Sequence, residues 1–60
     1  MKHYLFECVD EESENDGEQF IVGAANPYEA NLIAFELFGV CYDLGEITEE
    51  EAENSGLDEY

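Results

Sequence analysis

Seventeen of the sixty residues in this chain are Asp or Glu and only one is Lys, with no Arg, so any fold must hold its core together against a formal net charge of −16. Like charges at this density repel one another and oppose compaction. Acidic chains poor in apolar residues respond by staying disordered. Here 45% of residues are hydrophobic and 13% aromatic, which is enough material for a core. Solubility of a small domain is served by a net charge of magnitude about 2–8, so the excess asks for another use. The sign also limits partners. With a single lysine the chain has no cations to displace the counterions of a phosphate backbone, which excludes direct binding to nucleic acid or to an anionic membrane. A basic protein surface is the natural complement.

The length supports one small acidic domain, residues 1–60. A domain of this size buries only roughly 60% of its unfolded surface. Cys8 and Cys41 each lie inside an apolar run and read as reduced core thiols, since free cysteine behaves as a small hydrophobe; whether the two meet is left open. No signal-peptide pattern precedes the first strand-like run, so a cytoplasmic protein is expected. No apolar stretch approaches the ~18 residues that a membrane helix needs.

Residues 3–9 alternate as a strand, with Tyr4, Phe6 and Cys8 on one face and Leu5, Glu7 and Val9 on the other. The segment DEESENDGE follows as an acidic loop, and residues 19–25 form a second strand with Phe20, Val22 and Ala24 inward. Asn26 suits a helix N-cap, Pro27 the first helical position and Glu29 the capping-box acid, and Gly39 ends the helix. Ala30, Ile33, Ala34, Leu37 and Phe38 make its apolar stripe, which reads as core. Residues 40–44 read as a third strand. Thr48 and Glu51 form a second capping box, flanked by Ile47 and Ala52 at staple positions, and open a short helix that stops near Ser55 and Gly56. Leu57 is expected to fold back and residues 58–60 to fray. The predicted fold is α+β: a three-stranded antiparallel sheet of order 2-1-3, which makes the most apolar strand central, with one main helix on one face, topology ββαβ, plus a short C-terminal helix.

One helix covers one face of such a sheet, and this leaves two apolar clusters over. Tyr28, Leu32 and Phe35 fall opposite the core stripe of the helix at about 100° per residue. Leu5, Val9 and Ile21 fall on the sheet face away from Phe6 and Val22. Either the C-terminal segment covers one cluster through Ile47 and Leu57, or the clusters serve self-association or a partner. A homodimer would add buried core to a domain of this size.

Catalytic constellations are not visible. His3 reads as a solvent-facing strand residue, and beyond Lys2 and His3 nothing positive stands near Cys8 to lower its pKa. A loop starting at Asp10 places Asn15 where a calcium loop requires Gly, with strands on its flanks rather than helices. Two cysteines and one histidine fall short of a four-ligand zinc site. The chain is therefore expected to be neither an enzyme nor a holder of a cofactor or metal.

The acids gather in two blocks. Asp10, Glu11, Glu12, Glu14, Asp16 and Glu18 occupy the loop, and Glu49, Glu50, Glu51 and Glu53 the start of the second helix. Strand side chains two apart stand roughly 6.5–7 Å apart, and helical i, i+4 pairs about 6 Å; both resemble phosphate spacing on one DNA strand. Size, acidity and the segments DEESENDGE and EITEEEAENSGLDEY make the chain resemble, as a class, the small acidic DNA-mimic inhibitors of phages and mobile elements. Those proteins share no single fold. The resemblance implies a host-takeover inhibitor aimed at a basic nucleic-acid-binding protein: a nucleoid protein, RNA polymerase, a repair enzyme or a nuclease. The order of elements and the helix start Glu29-Ala30-Asn31-Leu32-Ile33-Ala34 are also similar to the bacteriophage T7 inhibitor of host RNA polymerase; the likeness covers a minority of the chain and transfers no functional residue. The competing expectation is a small regulatory or accessory subunit that binds through Tyr28, Leu32 and Phe35, with its acidity serving solubility.

Overall fold

The computed structural model describes residues 1–9, 12, 14 and 17–60. Its elements run β1 (Lys2–Cys8), β2 (Gln19–Ala24), α1 (Pro27–Phe38), β3 (Cys41–Ile47) and α2 (Glu49–Asn54). β1 lies at the centre of a three-stranded sheet of order β2-β1-β3, and both pairings are antiparallel. This is the α+β arrangement expected from the sequence, and its cause is the one anticipated: the strand with the densest apolar content takes the place with two neighbours.

Both helices are capped, but the box expected at α1 is only half made: Asn26 caps the helix, and the Glu29 carboxylate is not bonded back to the Asn26 N–H. The Asn26 side chain accepts the Glu29 backbone N–H at 2.8 Å, and Pro27 occupies the first turn, where no partner for its missing N–H is needed. Gly39, at φ 77°, donates its N–H to the Phe35 carbonyl and closes α1. Thr48 and Glu51 satisfy one another's backbone N–H groups at the start of α2.

The main core lies between α1 and one sheet face. Tyr4, Phe6, Phe20, Val22 and Ala24 meet Ala30 and Ala34, with Ile33, Phe38 and Cys41 packed around them. The two alanines let the helix sit close to the sheet, and the Phe38 ring comes within 4.3 Å of that of Phe20. Leu37 departs from the expected stripe. It is 49% exposed, because on the last turn Phe38 takes the position over Phe20.

Three other expectations change. β3 runs on to Ile47, beyond the expected end at residue 44. It does so through a bulge: Leu5 pairs with Gly45 and Phe6 with Asp43, so Leu44 is the extra residue. Gly45 takes φ 107°, which suits glycine and lets the ladder resume after the bulge. Residues 58–60 do not fray. Ile21 donates to the Asp58 carbonyl, Gly23 to the Tyr60 carbonyl and Tyr60 to the Ile21 carbonyl, with a parallel bridge between Ile21 and Glu59. The outward N–H groups of β2 needed acceptors, and this segment supplies them. The Tyr60 ring then lies edge-on to Phe20 and Phe38. Finally, the His3 side chain does not stand free in solvent; it is 19% exposed and its Nδ1 meets the Glu59 carboxylate.

The second sheet face is closed from the C-terminal side. α2 packs against β1, Ala52 is buried, Ile47 and Leu57 are half-buried, and Ile21 is fully buried. Of the two apolar clusters left over by the sequence, the sheet cluster is thus largely covered. No helix among the described residues is long and apolar enough to cross a membrane.

Candidate partner-binding surfaces

The helix cluster stays open. Tyr28 is 76%, Leu32 51% and Phe35 64% exposed, one turn apart along the outer side of α1. Periodicity found this stripe because the core stripe of the same helix is well defined. It did not find a second set on the neighbouring strand: Val40, just before β3, and Tyr42 and Leu44 within it are also exposed. These residues read as ordinary strand positions, and only the placement of β3 at an edge, with a bulge at Leu44, leaves them uncovered.

Between the two elements runs a groove of about 310 Å³, lined by Phe35, Ala34 and Asn31 of α1, by Gly39, Val40 and Cys41, and by Phe6 at its floor. Its rim is tied across once: the Asn31 Nδ2 donates to the Asp43 carboxylate at 3.0 Å and to the Pro27 carbonyl at 2.8 Å. Cys41 lines this groove, and Cys8, opposite it on β1, is buried behind. Cys41 Sγ faces the Gly39 carbonyl at 3.5 Å, and Cys8 Sγ the Phe38 carbonyl at 3.9 Å. Both cysteines are free. Burial raises the pKa of Cys41, and the neighbouring Cys8 adds to the shift.

The acidic blocks leave the sheet from opposite ends of β1. The loop departs after Cys8 and returns at Glu18, whose carbonyl accepts the Cys8 N–H. α2 begins just past Ile47, the partner of His3 at the start of β1. At about 3.3 Å per residue the two departure points are roughly 15–20 Å apart. The candidate residues Asp10, Glu11 and Asp16 lie outside the described residues. Glu12, Glu14 and Glu18 are exposed. Glu49, Glu50, Glu51 and Glu53 are exposed on α2, with Glu51 held by the Thr48 N–H and Glu50 and Glu49 beside it in the first turn. The first-turn carboxylates are also favoured by the positive end of the helix dipole.

Other carboxylates occupy both sheet faces. Asp43 bonds to α1, whereas Glu59 meets His3 on the face where Ile21 lies. Charge therefore surrounds the sheet, with two concentrations, rather than lining one side. The longest dimension of the molecule is 32 Å, comparable to the ~20–30 Å of charged groove that a short stretch of backbone would fill. The one lysine and the one histidine are each beside an acid: Lys2 Nζ is 4.0 Å from Glu46, and the His3 ring meets the Glu59 carboxylate. Among the described residues, no group of three or more His, Cys, Asp or Glu is arranged to hold a metal ion. Comparison with protein-family models, with curated proteins and with solved structures finds no match to this chain.

Proposed function

We propose that the chain is a non-enzymatic inhibitor that captures a basic, nucleic-acid-binding protein by presenting carboxylates where that protein expects phosphates. The observation that carries this reading is a charge of −16 on a folded scaffold whose only lysine already stands beside a carboxylate. A field of one sign steers a basic partner in from a distance and repels nucleic acid from the same complex. The loop acids Asp10, Glu11, Glu12, Glu14, Asp16 and Glu18 form one arm and Glu49, Glu50 and Glu53 the other, with Glu51 doing double duty as a cap. Candidate targets are a nucleoid protein, RNA polymerase, a repair enzyme or a nuclease. The two free thiols support a reducing, cytoplasmic setting.

The test is competition. Fluorescent duplex DNA bound to each of these four target types is titrated with the chain at low and high salt. Release from at least one is expected, weakening steeply as salt rises. Glu12, Glu14 and Glu18 changed together to Lys should slow association far more than the same three changed to Ala. Equal effects from the two triple variants would remove the charge reading.

A second reading has its own observation: the exposed stripe Tyr28, Leu32 and Phe35 beside the groove. On this reading the chain is a regulatory or accessory subunit, or a homodimer, joined through that apolar surface. Phe35→Ala would then weaken binding more than any charge change, and high salt would leave affinity nearly intact.

A further inference from the structure

Cys8 and Cys41 stand directly opposite one another on adjacent antiparallel strands. Two kinds of opposed pair alternate along such a ladder, and the closer kind exchanges no backbone hydrogen bonds. The backbone assigns this pair to the closer kind. The Cys8 N–H donates to the Glu18 carbonyl at 2.8 Å, so it points toward β2 and away from β3. The next residue makes the bridge instead: the Val9 N–H donates to the Val40 carbonyl at 3.1 Å. Opposed Cα atoms at a non-bonded position are about 4.5 Å apart, inside the roughly 4.4–6.8 Å that disulfides span. Both side chains point to the α1 face, where their sulfurs reach carbonyls at the end of that helix.

We propose that Cys8 and Cys41 form a dithiol modification site that exchanges with small-molecule disulfides of the glutathione class and closes into a cross-strand disulfide. Access divides the labour. Cys41 is half-buried and lines the open groove, whereas Cys8 is 1% exposed. Cys41 loses its proton to solvent, and its thiolate attacks one sulfur of the small disulfide. A mixed disulfide forms on Cys41, and one small thiolate leaves. Cys8 then loses its proton and attacks the Cys41 sulfur, the Cys8–Cys41 bond forms, and the second small thiolate leaves. Two protein thiols are oxidised and one small disulfide is reduced to two thiols. Burial keeps the thiolate fraction of Cys41 low, which slows exchange without moving its end point. The bond would staple the bulged outer strand to the central one beside Phe35 and Val40, and in a reducing compartment it would open again as the small disulfide is depleted.

The experiment equilibrates the full chain with mixtures of oxidised and reduced glutathione, natively and in concentrated urea, then quenches with acid and reads the mass. The expected native product is two hydrogen masses lighter than the reduced chain, with an effective thiol concentration at least roughly tenfold above that in urea, because the folded ladder holds the pair in register. The disulfide form should melt roughly 10–20 °C higher than the dithiol, since the bond closes a loop of about thirty residues. Cys8→Ser should stop the reaction at a glutathione adduct on Cys41. An effective concentration no greater in the native chain than in urea, or a native product carrying glutathione on both cysteines, would overturn the proposal. The wild-type measurement decides the matter even where the Cys8 variant folds poorly, and it is independent of whether any basic protein binds.

Discussion

The two outer strands of this sheet meet opposite fates. β2 presents outward amides at Ile21 and Gly23, and residues 58–60 come back to accept them. β3 presents its outer edge to solvent, with Tyr42 63% and Leu44 48% exposed. On the α2 side of the sheet, Ile21 of β2, opposite Leu5, is completely buried, while Tyr42 of β3, opposite Glu7 two residues further along β1, is not. A domain this small has few segments with which to cover a sheet. The difference shows where this one spent them: the C-terminal residues seal one flank and leave the other, with its adjoining groove, as the surface that remains for contact.

The comparison can be broken most forcefully at Ile21. Ile21→Ala should cost about 3 kcal/mol by leaving a cavity under the C-terminal segment, read as a fall in the urea midpoint. Tyr42→Ala, on the open flank, should stay within about 0.5 kcal/mol. Comparable losses at both positions would mean that the flanks are equally covered in solution. Removing residues 58–60 takes away three backbone hydrogen bonds and the Tyr60 ring from Phe20 and Phe38, and should lower stability by about 2 kcal/mol. Hydrogen exchange sharpens the same point. Ile21 and Gly23 amides should be protected in the full chain and lose protection on that truncation, whereas Asp43 and Glu46 amides on the open edge should exchange quickly in both. Thr48→Ala should cost about 1 kcal/mol by undoing the cap of α2, with α2 loosening before the sheet. The smallest change is Tyr4→Phe. The Tyr4 hydroxyl is buried with no hydrogen-bond partner among the described residues, so its removal should be neutral or stabilising by up to about 1 kcal/mol.

Much of the fold is legible in the residues because local signals agree. Asn26-Pro27 starts a helix and Gly39 ends it; Thr48 and Glu51 start another; the period-two run at Tyr4, Phe6 and Cys8 marks a strand fit for the centre. What escapes local reading is decided at a distance. Three residues have no periodicity, so Asp58, Glu59 and Tyr60 look like a loose end until the unpaired amides of β2 are known. β3 looks finished at Leu44, because a glycine in the next position normally closes a strand, and only pairing with β1 shows that it continues beyond a bulge. The open stripe at Tyr28, Leu32 and Phe35 is legible from helical spacing, yet its joining with Val40 into a groove depends on which strand took the edge. The positions of the loop acids relative to one another cannot be read from spacing, since a loop imposes no period.

The bulge at Leu44 has an effect on how many molecules behave together. An unsealed strand is a template, and a straight one invites a neighbour's strand to extend the sheet without limit. Here the ladder is broken in mid-course, and Asp43 and Glu46 stand on either side of the break. A second copy would have to shift its own register at the same point while bringing its carboxylates against these. By this geometry the open flank is poorly made for growing fibres of its own kind.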